Sequence, residues 1–345
     1  MFSIILAAGK GTRMGPTDRP KVCLLLDGVP VIVHAIETYS RCGIEHHIVV
    51  VGDRAEQVAA AVCERFPDTI FVYQPSLRGS GDAARRGAAV LDAFGYTGDV
   101  LVVAGDKVLE EHAVRALLDL FRRTAADLCL LVGAKDDFPS SGRIVEDETG
   151  QVLGNIEVSD IARARLIGHW FERTRIEPLD RDRLRAELLE AFSTERKAQR
   201  AMPQFWRLLG ERSTITNDDL SACFSRDEAF FEFRDPNGRV HRLTADEIES
   251  HVRYVNLSVF CFRTEALRYA LERLGNNNAQ GEEYLTDTVC ILANARKPDG
   301  WPLFRVVLYP IQQPTDAMAF NTPEELNAIR DYYHGQKPQI RGACG

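Results

Sequence analysis

The residues best suited to do chemistry lie in a glycine-rich loop close to the start of the chain. The apolar run Phe2–Ala7 predicts a buried first strand. The loop that follows, 8–15, contains Lys10, Thr12 and Arg13, which can all donate hydrogen bonds to anionic oxygens. Glycines let backbone N–H groups turn toward a ligand, and loops after the strands of open α/β sheets are where ligands bind. The spacing therefore predicts a phosphate-binding loop.

This loop matches neither of the two commonest phosphate-binding patterns. The Walker pattern requires Gly-Lys-Ser/Thr at its end, whereas Lys10 is followed by Gly11. The dinucleotide fingerprint requires a third glycine where Met14 stands. What remains is the pattern L-A-A-G-x-G-T-R-M with the pair Pro20-Lys21 a few residues later.

Alternating strand and helix patterns must position this loop. They predict strands over 45–51, 69–73, 100–103 and 128–132, and helices over 30–41, 55–65, 82–94 and 110–125. The all-apolar run 100–103 is typical of a central parallel strand. We therefore predict an α/β fold with a doubly wound, mostly parallel sheet and with ligands at the carboxyl edges of its strands.

Composition narrows the classes of function. The chain has 345 residues, enough to bury one large domain or one domain with an insertion. Its formal net charge of −8 argues against general binding to nucleic acid or to an anionic membrane, because both need a basic face. The eight cysteines include no C-x-x-C pair, so neither a zinc site nor a disulfide framework is indicated. We expect a cytoplasmic protein, since no signal-peptide or membrane-spanning pattern is present.

Six ordered segments resemble one family of enzymes. The opening pattern with Pro20-Lys21 resembles the sugar-phosphate nucleotidyltransferases, which make NDP-sugars. The other five resemble the uridylyltransferase (N-terminal) domain of bacterial bifunctional N-acetylglucosamine-1-phosphate uridylyltransferase. They are Q-x4-G-S-G from Gln74, Gly105-Asp106, G-R-I-V from Gly142 followed by Glu157, V-N-L-S-V around Asn256, and N-N-N-A-Q-G-E-E-Y-L-T-D over 276–287. The resemblance covers residues 1 to about 160 and about 252 to 327, and it implies a Rossmann-like nucleotidyltransferase fold.

The resemblance also implies a set of site residues. The nucleotide would be bound by Leu6, Ala7, Ala8, Gly9, Lys10, Gly11, Thr12, Gln74, Gly79 and Ser80. The sugar would be bound by Gly105, Gly142, Glu157, Asn256, Tyr284 and Thr286. Arg13 and Lys21 would be the catalytic residues, and Asp106 and Asn321 would hold Mg²⁺ as the cofactor.

The implied reaction explains these residue types. An oxygen of a sugar 1-phosphate attacks the α-phosphorus of a nucleoside triphosphate, and pyrophosphate leaves. The nucleophile is already an anion, so the barrier comes from bringing polyanions together and stabilising the charge on the leaving group. Arg13 suits bidentate contact with phosphate oxygens, and Lys21 suits a point charge near the α-phosphate. Mg²⁺ takes few protein ligands besides phosphates and water, in agreement with two candidate ligands.

Several of these residues also have a purely structural interpretation. Asp106 could be a turn residue after a strand, and Asn321 or Thr322 could cap the helix that starts near Pro323. Glu157 lies on an apparent strand and could be a solvated surface residue. Tyr284 could equally pack in the core.

The chain departs from the family at four places. Lys107 follows Asp106 where a small or apolar residue is usual, and Asp82 stands where the family has histidine. Ser159, in V-S-D, replaces the lysine of the family's H-K-D. The fourth departure is segment 161–253, which replaces a short link.

We predict that 161–253 is a large, mainly helical insertion. It would divide the nucleotidyltransferase domain into 1–160, the nucleotide-binding part, and 254–330, the sugar-binding and C-terminal part, followed by a tail over 331–345. Leu184, Leu188, Leu189 and Phe192 have the spacing of one apolar helix face, which would cover the sheet domain, another subunit or a substrate. Two roles of the segment remain open, a cap over the acceptor pocket and a contact with another subunit. A homo-oligomer also remains open.

The predicted function is a Mg²⁺-dependent nucleotidyltransferase that makes a UDP-sugar from UTP and a sugar 1-phosphate, with an N-acetylhexosamine 1-phosphate as the favoured acceptor. Two alternatives stay open. One is a cytidylyl- or thymidylyltransferase with another phosphorylated acceptor, and the other is a non-catalytic nucleotide-sugar sensor.

Overall fold

The structure is a computed structural model that describes residues 1–11, 14–15, 17–235 and 237–336. The chain divides into two compact units. The first comprises 1–131, 258–268 and 309–345, and the second comprises 132–257 and 269–308. Among the described helices, none combines the length and the apolar character that a membrane crossing needs.

The strands and helices follow the chain in mixed order. The strands are β1 Phe2–Ala7, β2 Leu25–Leu26, β3 Val29–Pro30, β4 His46–Val51, β5 Ile70–Tyr73, β6 Asp99–Ala104, β7 Lys107–Leu109, β8 Leu128–Ala134, β9 Arg143–Glu146, β10 Val152–Ile156, β11 Leu179–Asp180, β12 Thr214–Ile215, β13 Phe230–Arg234, β14 Val240–Thr244, β15 Tyr254–Arg263, β16 Val306–Pro310 and β17 Ala317–Ala319. The α-helices are α1 Val31–Arg41, α2 Ala55–Cys63, α3 Ser80–Ala93, α4 Glu111–Thr124, α5 Val158–Arg173, α6 Arg181–Phe192, α7 Glu195–Ala201, α8 Pro203–Glu211, α9 Asn217–Cys223, α10 Ala245–His251, α11 Thr264–Leu271, α12 Asp287–Asn294 and α13 Pro323–Gln336.

The first unit is built on a mostly parallel sheet. Strand β1 pairs in parallel with β4 and β6, β4 pairs in parallel with β5, and β15 adds an antiparallel strand next to β6. Ile4 and Ile5 are adjacent in β1 and point to opposite sides of the sheet, yet both are fully buried. The sheet is therefore covered on both faces, as expected for parallel strands of this apolar type. This confirms the predicted α/β fold class.

The second unit contains the long segment 161–253, which has no counterpart among the family motifs described above. Its helices α5 to α9 enclose an apolar core of their own, in which the rings of Trp170 and Phe205 stack at 4.7 Å between centroids. The predicted helical stretch 181–210 is three helices, and β13 and β14 add an antiparallel hairpin. The segment is therefore mainly helical with its own hydrophobic centre.

The apolar face predicted on α6 requires a correction. Leu184, Leu188 and Phe192 are buried in the core around Trp170, whereas Leu189 is 37% exposed. The three buried residues of the face therefore pack inside the segment and do not cover the sheet. Their partners are the neighbouring helices of the same segment, because a segment of this length must bury its own apolar surface.

Candidate functional site

The loop after β1 lines a cavity of about 260 Å³ at the carboxyl ends of β1 and β6. Among the predicted site residues, its walls include Leu6, Ala7, Gly9, Gly11, Lys21, Asp106 and Asn321. Gly11 has a φ of +61°, and a Cβ there would lie 2.7 Å from the Cβ of Lys21, so only glycine fits. Two further predicted residues of this loop, Thr12 and Arg13, lie outside the described residues.

Lys21 joins the two predicted metal ligands. Its Nζ donates to Asp106 Oδ2 in an ion pair and to Asn321 Oδ1 at 3.1 Å. The side chain of Lys21 is only 12% exposed, and its ammonium lies 5.2 Å from the centroid of the Phe320 ring. Two oxygens from distant parts of the chain therefore converge on one cation.

This convergence shows that the residues present fit Mg²⁺. The carboxylate and amide oxygens that surround the ammonium are hard ligands of the kind that Mg²⁺ prefers, and few protein ligands are needed when phosphates and waters complete the shell. Within the described ranges no group of three or more His, Cys, Asp or Glu side chains could hold a metal. Asp106 and Asn321 would hold Mg²⁺ as a pair.

At the start of α13, Thr322 and not Asn321 caps the helix. Glu325 N donates to Thr322 Oγ1 at 3.3 Å, so Thr322 caps the helix and Pro323 is its first residue. The Oδ1 atom of Asn321 accepts from Lys21 instead. The cap therefore leaves the Asn321 amide available to a cation.

Lys107 is half-buried next to Asp106. Burial lowers the pKa of its ammonium, while the charge of Asp106 opposes this shift. In the part of the chain that the structure describes, the ammonium makes no hydrogen bond and no ion pair. It adds positive charge beside the predicted metal ligand.

The predicted base-reading residues lie at the end of β5 and the start of α3. The backbone N–H of Gln74 donates to Val51 O at 2.8 Å, which holds Gln74 at the carboxyl edge of the parallel strands. Gln74 Nε2 donates to Gly79 O at 3.2 Å and to Asp82 Oδ2 at 2.8 Å. Ser80 is the first residue of α3. The structure therefore brings Gln74, Gly79 and Ser80 together, and it adds Asp82.

Four of the predicted sugar-binding residues meet in the second unit. Thr286 Oγ1 donates to Glu157 Oε1 at 2.8 Å, and the backbone N–H of Asn256 donates to Gly142 O at 2.8 Å. A Cβ on Gly142 would lie 2.9 Å from Glu157 Oε1, so the glycine is in direct contact with this carboxylate. Tyr284 is 7% exposed, in accord with packing.

One sequence expectation about these residues is corrected. Glu157 does not lie on a strand: β10 ends at Ile156, and Glu157 is the N-cap of α5 without a side-chain capping bond. Gly105 lies in the first unit, where its N–H donates to Leu6 O at 2.9 Å, and its contact with the sugar stays a prediction.

Two acidic residues near Glu157 escaped sequence analysis. Burial raises the pKa of Glu157, and hydrogen bonds from Thr286 and Asn155 oppose the shift. Burial also raises the pKa of Asp160 to about 6 and that of Asp287 to about 7, with repulsion from neighbouring carboxylates adding to both. Asp287 closes the L-T-D motif and Asp160 the V-S-D triplet, which was the available signal.

Replacing Asp287 with asparagine should make stability less dependent on pH. The folded-state pKa of about 7 lies above the unfolded value of 3.8, so the stabilisation is complete below about pH 4 and is lost as pH rises through about 7. The amide does not ionise, so the melting temperature of Asp287→Asn relative to wild type should rise between about pH 5 and pH 8. Thermal unfolding of both proteins across this pH range measures the difference in melting temperature.

The control is Asp136→Asn, which makes the same change at an exposed position of the same unit. We expect the melting temperature of this control to differ from that of wild type by the same amount at every pH. If the difference in melting temperature between Asp287→Asn and wild type also stayed constant with pH, the pKa of Asp287 would not be raised.

Comparison with known protein families identifies a nucleotidyltransferase domain. Residues 3–212, more than half of the chain, match the MobA-like NTP transferase domain family, and the chain belongs to that family. This confirms the resemblance to nucleotidyltransferases that the sequence motifs indicated.

Similar proteins include bacterial relatives and solved structures. The chain is 28% identical over 293 residues to the bifunctional protein GlmU of Clavibacter sepedonicus, covering 85% of this chain and 42% of that protein. It is 26% identical over 330 residues to the bifunctional protein GlmU of Geobacter metallireducens, covering 94% of this chain and 49% of that protein. The chain thus spans less than half the length of these relatives. A UDP-glucose pyrophosphorylase complexed with UDP-glucose superposes with a TM-score of 0.56 at 14% identity over 97% of this chain and 99% of that one, which shows a common fold.

Proposed function

We propose that the protein is a Mg²⁺-dependent nucleotidyltransferase that forms a UDP-sugar and pyrophosphate from UTP and a sugar 1-phosphate. An N-acetylhexosamine 1-phosphate is the proposed acceptor. The observation that carries the proposal is the convergence of Lys21, Asp106 and Asn321 beside the glycine-rich loop. A non-catalytic sensor of nucleotide-sugars would not require this set of charges.

The side chains of the loop cavity suit phosphoryl chemistry without a general base. The attacking phosphate oxygen is already charged, so the protein must position it and stabilise negative charge. Lys21 would leave its carboxylate partner and bind an oxygen of the α-phosphate as a point charge. Mg²⁺, held by Asp106 and Asn321, would neutralise charge on the phosphates. The backbone of Gly9 and Gly11 would let the triphosphate approach closely.

The choice of UTP rests on Gln74, and the choice of acceptor rests on the second unit. The amide of Gln74 can pair with the edge of a uracil ring. Glu157 with Thr286 and Gly142 offers hydrogen-bonding groups for a sugar. The relatives named GlmU and the pyrophosphorylase bound to UDP-glucose support this class of substrate.

The segment 161–253 is proposed to be an inserted subdomain that caps the acceptor pocket, with 1–160 and 254–330 as the parts of the nucleotidyltransferase domain around it. A cavity of about 420 Å³ in the second unit supports this role, because Glu157 lines it together with Arg163, Phe230 and Phe231 of the segment. Side chains of the segment would then help to select the acceptor.

A pyrophosphate-release assay tests the proposal. The wild-type protein should release pyrophosphate with UTP and N-acetylglucosamine 1-phosphate in the presence of Mg²⁺, and each NTP and sugar 1-phosphate is varied in turn. Faster turnover with CTP or dTTP would replace the uridylyl assignment with a cytidylyl- or thymidylyltransferase. No release with any pair, together with tight binding of a nucleotide-sugar, would identify a sensor.

Gly142→Ala should weaken the acceptor site alone. The new Cβ would lie 2.9 Å from Glu157 Oε1 and 3.0 Å from the amide atoms of Asn155, so these groups must move. We expect the KM for the sugar 1-phosphate to rise at least about tenfold, the scale of one lost charge-assisted hydrogen bond, with UTP binding unchanged. Steady-state kinetics in both substrates measures the effect.

Gly210→Ala in α8 is the matched control, because beyond the adjoining residues and the backbone of its own helix nothing lies within 4 Å of the added Cβ. Its kinetics should equal those of wild type. If Gly142→Ala left the acceptor KM unchanged, Glu157 and its neighbours would not form the acceptor site.

A further inference from the structure

The side-chain amide of Gln74 is held by two groups that can only accept hydrogen bonds. Its Nε2 lies 3.2 Å from the carbonyl oxygen of Gly79 and 2.8 Å from Oδ2 of Asp82. Neither a carbonyl nor a carboxylate has a hydrogen to donate, so the end of the amide between them must be the NH₂ group. The orientation of an amide is often ambiguous, but here the chemistry of its partners decides it.

The remaining polar atom of the side chain is the acceptor Oε1. Gln74 is 4% exposed and Asp82 is 5% exposed, so water does not readily replace either partner. Rotating the amide by half a turn would set Oε1 against two other acceptors, which is repulsive. Among the described residues no group donates to Oε1, so the acceptor capacity of this atom is not used within that part of the protein.

A second partner keeps the Asp82 carboxylate in place. Arg86 Nε, one turn further along α3, donates to Asp82 Oδ2 at 3.3 Å. Asp82 also lies in the first turn of α3, where an acidic residue favours the helix dipole. Stabilising the start of the helix does not require Asp82 to contact Gln74. The 2.8 Å hydrogen bond between Gln74 and Asp82 therefore has a separate role.

We propose that Asp82 is a positioning residue that fixes Gln74 with its carbonyl oxygen toward the nucleotide base, so that the base must present an N–H group there. The proposal rests on the proposed function, in which Gln74 contacts the base. Uracil carries its only free N–H at N3, and it can therefore meet Oε1 only at this atom. Cytosine has an unprotonated acceptor at N3, and in the same pose two lone pairs oppose each other. Asp82 thereby selects UTP over CTP.

The variant Asp82→Asn tests the proposal. An asparagine amide can donate to Oε1, and this hydrogen bond offsets the repulsion from the Gly79 carbonyl. Gln74 is then no longer fixed in one orientation, and in the turned orientation it presents Nε2 to N3 of cytosine. We expect the ratio of UTP to CTP affinity, measured by calorimetry and by kcat/KM, to fall at least about tenfold. CTP binding should improve in absolute terms, which general damage to the fold would not produce.

The matched control is Asp92→Asn on the same helix. Its carboxylate accepts from Arg268 rather than from Gln74, so the UTP to CTP ratio should equal that of wild type. A measurement on the wild-type protein avoids mutation altogether. In 3-deaza-CTP a C–H group replaces N3, which removes the lone-pair repulsion, so this analogue should bind more tightly than CTP.

The outcomes separate this inference from the proposed reaction. Equal affinity of wild type for UTP and CTP, an equal loss of both in Asp82→Asn, or no gain with 3-deaza-CTP would overturn the role of Asp82. If no acceptor yields pyrophosphate but the UTP preference depends on Asp82 as described, the proposed reaction fails and this inference stands.

Discussion

Replacing Lys21 with alanine is expected to lower turnover at least about 10²-fold, the scale of one lost preorganised charge at a reacting phosphate. The ammonium is the cation that the structure holds between Asp106 and Asn321, next to the glycine-rich loop. Steady-state pyrophosphate release at saturating substrates measures the loss. Because Lys21 is only 12% exposed, we also expect a modest decrease in melting temperature.

Metal binding distinguishes a catalytic role of Lys21 from a merely structural one. Without the ammonium, the oxygens of Asp106 and Asn321 are open to Mg²⁺, so calorimetric affinity for Mg²⁺ should be retained or increased while turnover falls. Lys297→Ala removes an exposed lysine and serves as the matched control. Wild-type turnover in Lys21→Ala would exclude the proposed role.

The second large effect is expected at Asp106. Asp106→Asn keeps the shape of the side chain but removes the negative charge that Mg²⁺ requires, so turnover should fall at least about 10²-fold. A chelator should abolish wild-type activity, and added Mg²⁺ should restore it. The variant should not recover at the same Mg²⁺ concentration, and calorimetry in the presence of UTP should show weaker metal binding.

Asp68→Asn is the control for this substitution, since it makes the same change at an exposed position in the first unit. Its dependence on Mg²⁺ should match that of wild type. Activity of Asp106→Asn that is restored at ordinary Mg²⁺ would show that the metal, if used, is held elsewhere.

Local patterns in the sequence predicted most of the first unit. The helix expected over 30–41 is α1, Val31–Arg41, and the one expected over 110–125 is α4, Glu111–Thr124. The apolar run 100–103 lies in the buried strand β6. Such elements depend on the spacing of apolar residues within one short segment, so they can be recognised without knowledge of their neighbours.

Contacts between distant residues were decided by the tertiary structure alone. Lys21 and Asp106 are 85 positions apart, and Lys21 and Asn321 are 300 apart, so no local pattern could predict that one ammonium joins them. The sequence motifs named the three residues, and their proposed roles stay predictions until the variants are measured. Their pairing requires the loop after β1, the end of β6 and the start of α13 to meet.

The long segment of the second unit shows the same division. Its helical spacing was visible, but the burial of Leu184 against Trp170 was not, because periodicity identifies an apolar face and not its partner. The raised pKa of Asp287 likewise comes from burial and from the carboxylates of Asp160 and Glu157, which are distant in sequence. The sequence by itself determined the class of chemistry and the order of the elements, since both are written in short motifs. Packing decided the charge environment of the buried carboxylates and the orientation of the Gln74 amide. Both depend on which groups the fold brings within a few ångströms of each other.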